Sequence, residues 1–138
     1  MDLFPELIVK RGIPRSYGKG SMQQGMRSEL YFMIKCFEEG WEICRPLHHA
    51  YPYDFVIRRF DRWETVQVKS ASDRIDKGKQ CIIFELRRCS KEKNYNEGDF
   101  DLLAVVYKSD VWLMPWEVIS DIKHTARIFQ SKFDCFRL

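Results

Sequence analysis

The sequence predicts an α/β domain with a mixed central β-sheet flanked by helices. Three observations predict it: a helical apolar period near residue 21, a series of short β-rich runs through the middle, and a proline-initiated helix after the last of those runs. The 138 residues suffice for one domain with one core. Apolar residues make up 45% of them, a composition that folds rather than one that stays disordered.

Residues 1–20 are expected to form a basic N-terminal arm. Pro5, Gly12, Pro14, Gly18 and Gly20 interrupt regular structure there, and Lys10, Arg11, Arg15 and Lys19 charge it. Residues 21–138 are expected to be a single domain. Its first helix should open at Ser21, a capping residue, and stop at Gly40. Met22, Met26, Leu30, Met33 and Phe37 recur at helical steps, which predicts the stripe that faces the core. Glu29 falls on or beside this stripe, where a carboxylate is costly to bury unless it is paired or binds a metal.

Strands are expected at 41–45, 54–59 and 64–69, the last two joined as a hairpin through Phe60-Asp61-Arg62-Trp63. Further strands are expected at 81–86 and 102–107, and 111–114 returns against 102–107 through Lys108-Ser109-Asp110. Pro115 should open a helix over about 116–122. In the last fifteen residues Ile128, Phe129, Phe133 and Phe136 must pack, as helix or as strand.

Several classes of protein are excluded. No run approaches the ~20 consecutive apolar residues of a membrane span. The first twenty residues lack the apolar segment of a secretory signal, so a cytoplasmic protein with no membrane attachment is expected. The five cysteines form no C-x-x-C pair, and Cys36 and Cys81 read as small buried hydrophobes. His48 and His49 are adjacent and point apart in most conformations, so no zinc pattern emerges.

The net charge of +3 is unevenly spread. Residues 71–93 hold seven Lys/Arg against four Asp/Glu, whereas residues 94–138 hold five against seven. Besides the arm, basic side chains cluster at Arg58, Arg59 and Arg62, at Arg74, Lys77 and Lys79, and at Arg87, Arg88, Lys91 and Lys93. Such clusters can follow a phosphate backbone, although charge alone favours an ordinary solvated surface.

The chemistry concentrates on the first hairpin. Pairing Arg59 with Glu64 sets Asp54 opposite Lys69 and Val56 opposite Gln67. Asp54, Gln67 and Lys69 then share one face, and Phe55, Ile57, Val66 and Val68 form an apolar face behind it. An acid, an amide oxygen and a lysine on one face suit hydrolysis of a phosphodiester. That reaction needs a neutralised phosphate, an activated water and a stabilised leaving oxygen, and Mg²⁺ with hard oxygen ligands provides for all three. Asp54 is the expected main ligand, with Gln67 and the Val68 backbone carbonyl adding oxygens. Lys69 is expected to orient the water or offset phosphate charge, and Glu29 to complete or orient the metal shell. Mn²⁺ should substitute for Mg²⁺.

Gly25-Met26-Arg27-Ser28-Glu29, Gly40-Trp41, Pro46, Pro52-Tyr53-Asp54-Phe55 and Gln67-Val68-Lys69-Ser70 together resemble the PD-(D/E)XK nuclease superfamily. With the later Tyr95-Asn96-Glu97-Gly98-Asp99-Phe100-Asp101, they look like its small single-domain branch, which holds bacterial intron-encoded homing endonucleases and lies close to archaeal Holliday-junction resolvases. The resemblance spans about residues 21–120. It implies a restriction-endonuclease-like core, DNA as the substrate, a divalent metal, and catalytic roles for Glu29, Asp54, Gln67 and Lys69. Two departures stand out: Gln67 occupies a position that usually holds an acid, and Asp54 follows Pro52 by two positions rather than one.

A Q-x-K form occurs in the homing branch, so a homing-endonuclease-like enzyme is favoured over a junction resolvase or a catalytically silent DNA-binding module. One site cuts one strand, so a homodimer or homotetramer is expected, with Trp63 and the second hairpin as candidate interface elements. Of the pair Asp99 and Asp101, Asp101 precedes a strand and is expected to cap a turn rather than to catalyse.

Overall fold

The computed structural model describes residues 21–87 and 94–138. The expected arm, and with it Lys10, Arg11, Arg15 and Lys19, lies outside the described residues, as do Arg88, Lys91 and Lys93. The chain begins with helix α1 (Ser21–Glu39), followed by strands β1 (Glu42–Cys44), β2 (Phe55–Arg59), β3 (Arg62–Asp76) and β4 (Lys79–Glu85). Then come β5 (Leu102–Tyr107), β6 (Asp110–Pro115), the one-turn helix α2 (Trp116–Ile119), β7 (Thr125–Arg127) and a 3-10 helix (Ser131–Phe136). No described helix is long and apolar enough to cross a membrane.

The strands form one mixed seven-stranded sheet with β3 as its hub. β3 runs antiparallel to β2 and β4 and parallel to β5. β1 extends the sheet beyond β2, β6 beyond β5, and β7 beyond β4. β5 is buried from Leu102 to Val106, which explains its unbroken apolar run: both of its faces are covered. On one face Phe55, Ile57, Val66, Val68, Leu102 and Ala104 pack against Phe32 and Cys36 of α1. On the other, Leu103, Val105, Trp112 and Met114 pack with Phe84, Phe100, Ile119 and the C-terminal residues Ile128 and Phe133.

The helix forms where expected but turns a different side to the sheet. Its buried positions are Ser28, Phe32 and Cys36, whereas Met22, Met26, Leu30 and Phe37 remain 56–68% exposed. Small residues decide the outcome. Ser28 and Cys36 let the helix lie close to the sheet, where Ser28 Oγ and Ser70 Oγ share a hydrogen bond of 2.6 Å. A stripe ranked by apolar content alone misses this, because two faces of the helix have the right period.

The first hairpin is tighter than expected by two residues. Arg59 pairs with Arg62, not Glu64, and the loop is only Phe60-Asp61. Both loop residues have positive φ, 50° and 58°, as a two-residue turn matched to strand twist requires. Glu64 instead sits diagonally from Arg59 on the same face, is buried, and accepts its Nε–H at 2.7 Å. A shift of two preserves the alternation of side chains, so the predicted faces survive the corrected register.

β3 continues to Asp76 rather than stopping at residue 69, and β4 starts at Lys79. Together they form a ribbon whose outer residues, 72–80, are all exposed. Helix α2 is a single turn, shorter than the expected 116–122. The C-terminal residues adopt both expected alternatives in short form, a three-residue strand and a 3-10 helix; Ile128 and Phe133 are buried there, while Phe129 stays half-exposed. Cys36 is buried as expected, but Cys81 is only partly so. The second hairpin, Val111–Met114, is core rather than a surface available to a partner, whereas Trp63 is 53% exposed.

Candidate active site

The site lies where β2 ends and β3 continues without it. Phe55 opposite Val66 is the last β2–β3 pair, so Val68 has no partner on β2. The Asp54 N–H extends the ladder by one bond, to the Val66 carbonyl at 2.9 Å. Its side chain then fills the gap: Oδ2 accepts the Val68 N–H at 2.9 Å. Gln67 is buried, and its Nε2 donates to the Val68 carbonyl at 3.2 Å. Asp54, Gln67 and Val68 are therefore held in one small cluster by the end of a strand.

Glu29 approaches from α1. It is half-buried, and its Oε2 accepts from Arg45 Nη2 at 2.7 Å. Arg45 also lies over the Phe55 ring, 4.8 Å from its centroid. Burial, and then the nearby Asp54 charge, push Glu29 above the usual carboxylate range, against the pull of Arg45. Burial likewise raises Asp54, opposed by the Val68 N–H and by Lys69, Arg45 and His49. Burial of both acids, and the Asp54 charge beside Glu29, disfavour their ionised forms, which a bound cation would relieve. Lys69 Nζ donates to the Arg87 carbonyl at 2.6 Å and lies 5.3 Å from the Tyr95 ring centroid.

The donor set fits a hard cation with few protein ligands. Among the described residues no three His, Cys, Asp or Glu side chains converge on a metal position. Mg²⁺ does not require such a cage, because it is commonly held by one or two carboxylates and keeps several waters. Gln67 Nε2 and the Val68 oxygen are 3.2 Å apart, near the roughly 3 Å between neighbouring oxygens of an octahedral Mg²⁺ shell. Turning the amide over would place Oε1 in that position. Asp54 and the Val68 carbonyl, with Gln67 after that turn, would then form the inner set, and Glu29 the adjacent acid.

The other residues singled out in the sequence divide into two groups. Arg74 and Arg87 line, with Lys69, Ser70 and Ser72 and beside the acids Asp73 and Glu85, a groove of about 550 Å³ next to the site. Lys77 and Lys79 are exposed at the tip of the β3–β4 ribbon. By contrast Arg58, Arg59 and Arg62 are engaged in ion pairs with Glu42, Asp61 and Glu64. Asp101 is structural: its Oδ2 accepts both the N–H and the hydroxyl of Thr65, at 2.8 and 3.1 Å. Asp99 accepts the Asn96 N–H at 2.8 Å and closes its turn. His48 stacks on Tyr51, and Tyr51 on Tyr53, in a short aromatic column leading to Asp54.

Sequence reasoning missed Arg45 and Tyr95 as neighbours of the site. Arg45 belongs to no motif, Tyr95 stands in the Tyr95–Asp101 segment without a role there, and each arrives through a loop whose path no periodicity encodes. The only local signal for Arg45 was its place at the end of a predicted strand, just before Pro46.

A helix acid, an aspartate just ahead of β2 and a Q-x-K on the central strand of a mixed sheet define a restriction-endonuclease-like nuclease core. The family model described as PD-(D/E)XK endonuclease matches residues 21–133, and the chain belongs to that family. It is 28% identical over 95 residues to Protein 5.3 of Escherichia phage T7, a match that covers 69% of this chain and 80% of the phage protein. Its fold is similar to that of a bacterial homing endonuclease, I-Ssp6803I. The TM-score is 0.69 at 18% sequence identity, over 81% of this chain and 80% of the other.

Proposed function

We propose that the protein is a divalent-metal-dependent DNA endonuclease, homing-endonuclease-like in type, that hydrolyses phosphodiester bonds as a symmetric oligomer. The observation that carries this reading is the convergence of the Asp54 carboxylate, the Gln67 amide and the Val68 carbonyl at the end of β2. Mg²⁺, with Mn²⁺ as a substitute, would be held by Asp54, Gln67 and the Val68 carbonyl, with Glu29 alongside. When bound, the ion would supply charge neutralisation at the phosphate and a more acidic water.

The chain's own residues do the rest. Asp54 is fixed by the Val68 N–H, so its second oxygen keeps its direction. Glu29, steadied by Arg45 and near enough to feel the Asp54 charge, would orient a water at the site. Lys69 brings a cation to the same end of β3, where it offsets phosphate charge. Arg74 and Arg87 add cations along a groove that Asp73 and Glu85 also line, and Lys77 and Lys79 extend them to the ribbon tip. Phosphate contacts of this kind position a duplex rather than read its sequence, and binding through them should fall steeply with salt.

A second reading, a DNA-binding module without cleavage, is favoured by one feature: Gln67 brings no charge where two acids and a cation would balance. The test is incubation with linear, supercoiled and four-way-junction DNA in Mg²⁺. Cleavage of linear and supercoiled duplex supports the homing-type enzyme. Selective cutting of the junction favours a resolvase, and salt-dependent binding without nicking in Mg²⁺ or Mn²⁺ leaves the silent module.

A further inference from the structure

Helix α1 turns an apolar face away from its own sheet. Met22, Met26, Leu30, Ile34 and Phe37 are 44–68% exposed, nearly half of the large exposed hydrophobics among the described residues. They form one continuous stripe along a helix of 19 residues, roughly 28 Å long. The solvent side of a surface helix is normally polar, and a contiguous apolar patch of this kind on a soluble chain marks a place where something binds.

We infer that the outward face of α1 is the contact between two copies of this chain, with the helices packed antiparallel about a two-fold axis. The charge pattern points to a second copy. Arg27, which contacts Tyr31, and Glu38, which pairs with Lys35 at 3.1 Å, lie on the same flank of the stripe, one near each end of the helix, and both side chains reach solvent there. In an antiparallel pair each flank meets its own counterpart, so Arg27 of one copy faces Glu38 of the other, twice. The same register sets Met26 near Phe37 and Leu30 near Ile34 of the other copy, with Met22 lying past the end of the partner helix. A parallel pair would instead set the Arg27 flank against the Glu29 flank and leave Glu38 opposite no cation of the helix.

The arrangement has a consequence for the site. Glu29 occupies the other flank, and a two-fold axis across the seam brings both copies of that flank to the same side. Both sites then open toward one duplex, one for each strand. This assignment deepens the oligomeric reading given above and rests on it, but it is tested by mass, independently of cleavage.

The experiment is analytical ultracentrifugation of the full chain over a concentration series reaching tens of micromolar, with circular dichroism as the control for folding. The wild type is expected to sediment at twice the 16.6 kDa chain mass and Leu30→Glu at the chain mass, with unchanged helicity. Because Leu30 is half-exposed, the substitution leaves the core intact. Arg27→Glu and Glu38→Arg should each weaken association by about tenfold, and the double swap should recover it. A wild type that remains at the chain mass, as when residues 1–20 cover the stripe within one chain, overturns the inference. So does a Leu30→Glu protein of unchanged mass, or a double swap as weak as the singles. A dimer that does not cut DNA would sink the nuclease reading and leave this one standing; an active monomer would do the reverse.

Discussion

Asp54 Oδ2 accepts the Val68 N–H at 2.9 Å, and this bond ties the principal candidate metal ligand to the strand that supplies the others. It exists because β2 ends at Phe55, opposite Val66, while β3 runs on to Asp76. Asp54 takes the place of the missing strand residue, so the backbone donor is satisfied and the carboxylate is aimed by the same contact.

The first prediction follows from that double role. Asp54→Asn keeps an oxygen for the Val68 N–H and removes the charge that burial disfavours. Cleavage should fall by roughly 100-fold or more, the upper end for disturbing a metal site. The melting temperature without metal at neutral pH should stay level or rise. Calorimetry beside a nicking assay checks both; a large loss of stability would show that the charge itself holds the fold together.

The second concerns pH. Asp54 and Glu29 are both raised above their ordinary values, chiefly by burial. A group raised in the folded state contributes stability below its unfolded pKa, and this is lost as pH rises through the folded value. Metal-free wild type should therefore gain stability relative to the Asp54→Asn, Glu29→Gln double variant as pH falls from neutral into the carboxylate range. The acid limb of cleavage should lie above that ordinary range, since both acids must be ionised. Parallel melting curves of the two proteins across pH show the sign directly, and a constant difference would contradict it.

Gln67→Glu gives a third. The position is buried beside Asp54, so a carboxylate there should destabilise the metal-free protein by about 1–3 kcal/mol. Mg²⁺ should return that stability, giving a larger metal-induced rise in melting temperature than in wild type. An equal rise in the two proteins would place Gln67 outside the metal shell.

Asp101→Ala is the fourth. Two hydrogen bonds to Thr65 join the start of β5 to β3, and their loss should cost about 1–3 kcal/mol. Cleavage per folded molecule should remain within a few-fold of wild type. Loss of cleavage at unchanged stability would mean that Asp101 takes part in the reaction.

The parts of the molecule that the sequence made legible are those ruled by alternation. Phe55, Ile57, Val66 and Val68 point to one face in any register of the same parity, so the hairpin's faces were readable even though its pairing was two residues off. The turn itself was obscured because Phe60 is an unusual residue for positive φ and no glycine follows it. The face of α1 was misread because the exposed stripe is more apolar than the buried one, and Ser28 and Cys36 signal packing by smallness rather than by hydrophobicity. The ribbon beyond residue 70 escaped because exposed strands carry no apolar alternation. Glu29 was legible as an acid out of place, but its partner Arg45 was not, since nothing in one chain's sequence links residues 16 apart across a loop.

The most direct test of the central claim is the nicking of supercoiled plasmid by purified protein in Mg²⁺, run beside Asp54→Asn and with chelator. The expected result is conversion to nicked or linear DNA by wild type, abolished by chelator and reduced at least 100-fold by the substitution, in line with the loss of a metal ligand. Intact plasmid with wild type in both Mg²⁺ and Mn²⁺, or equal cutting by Asp54→Asn, would contradict it.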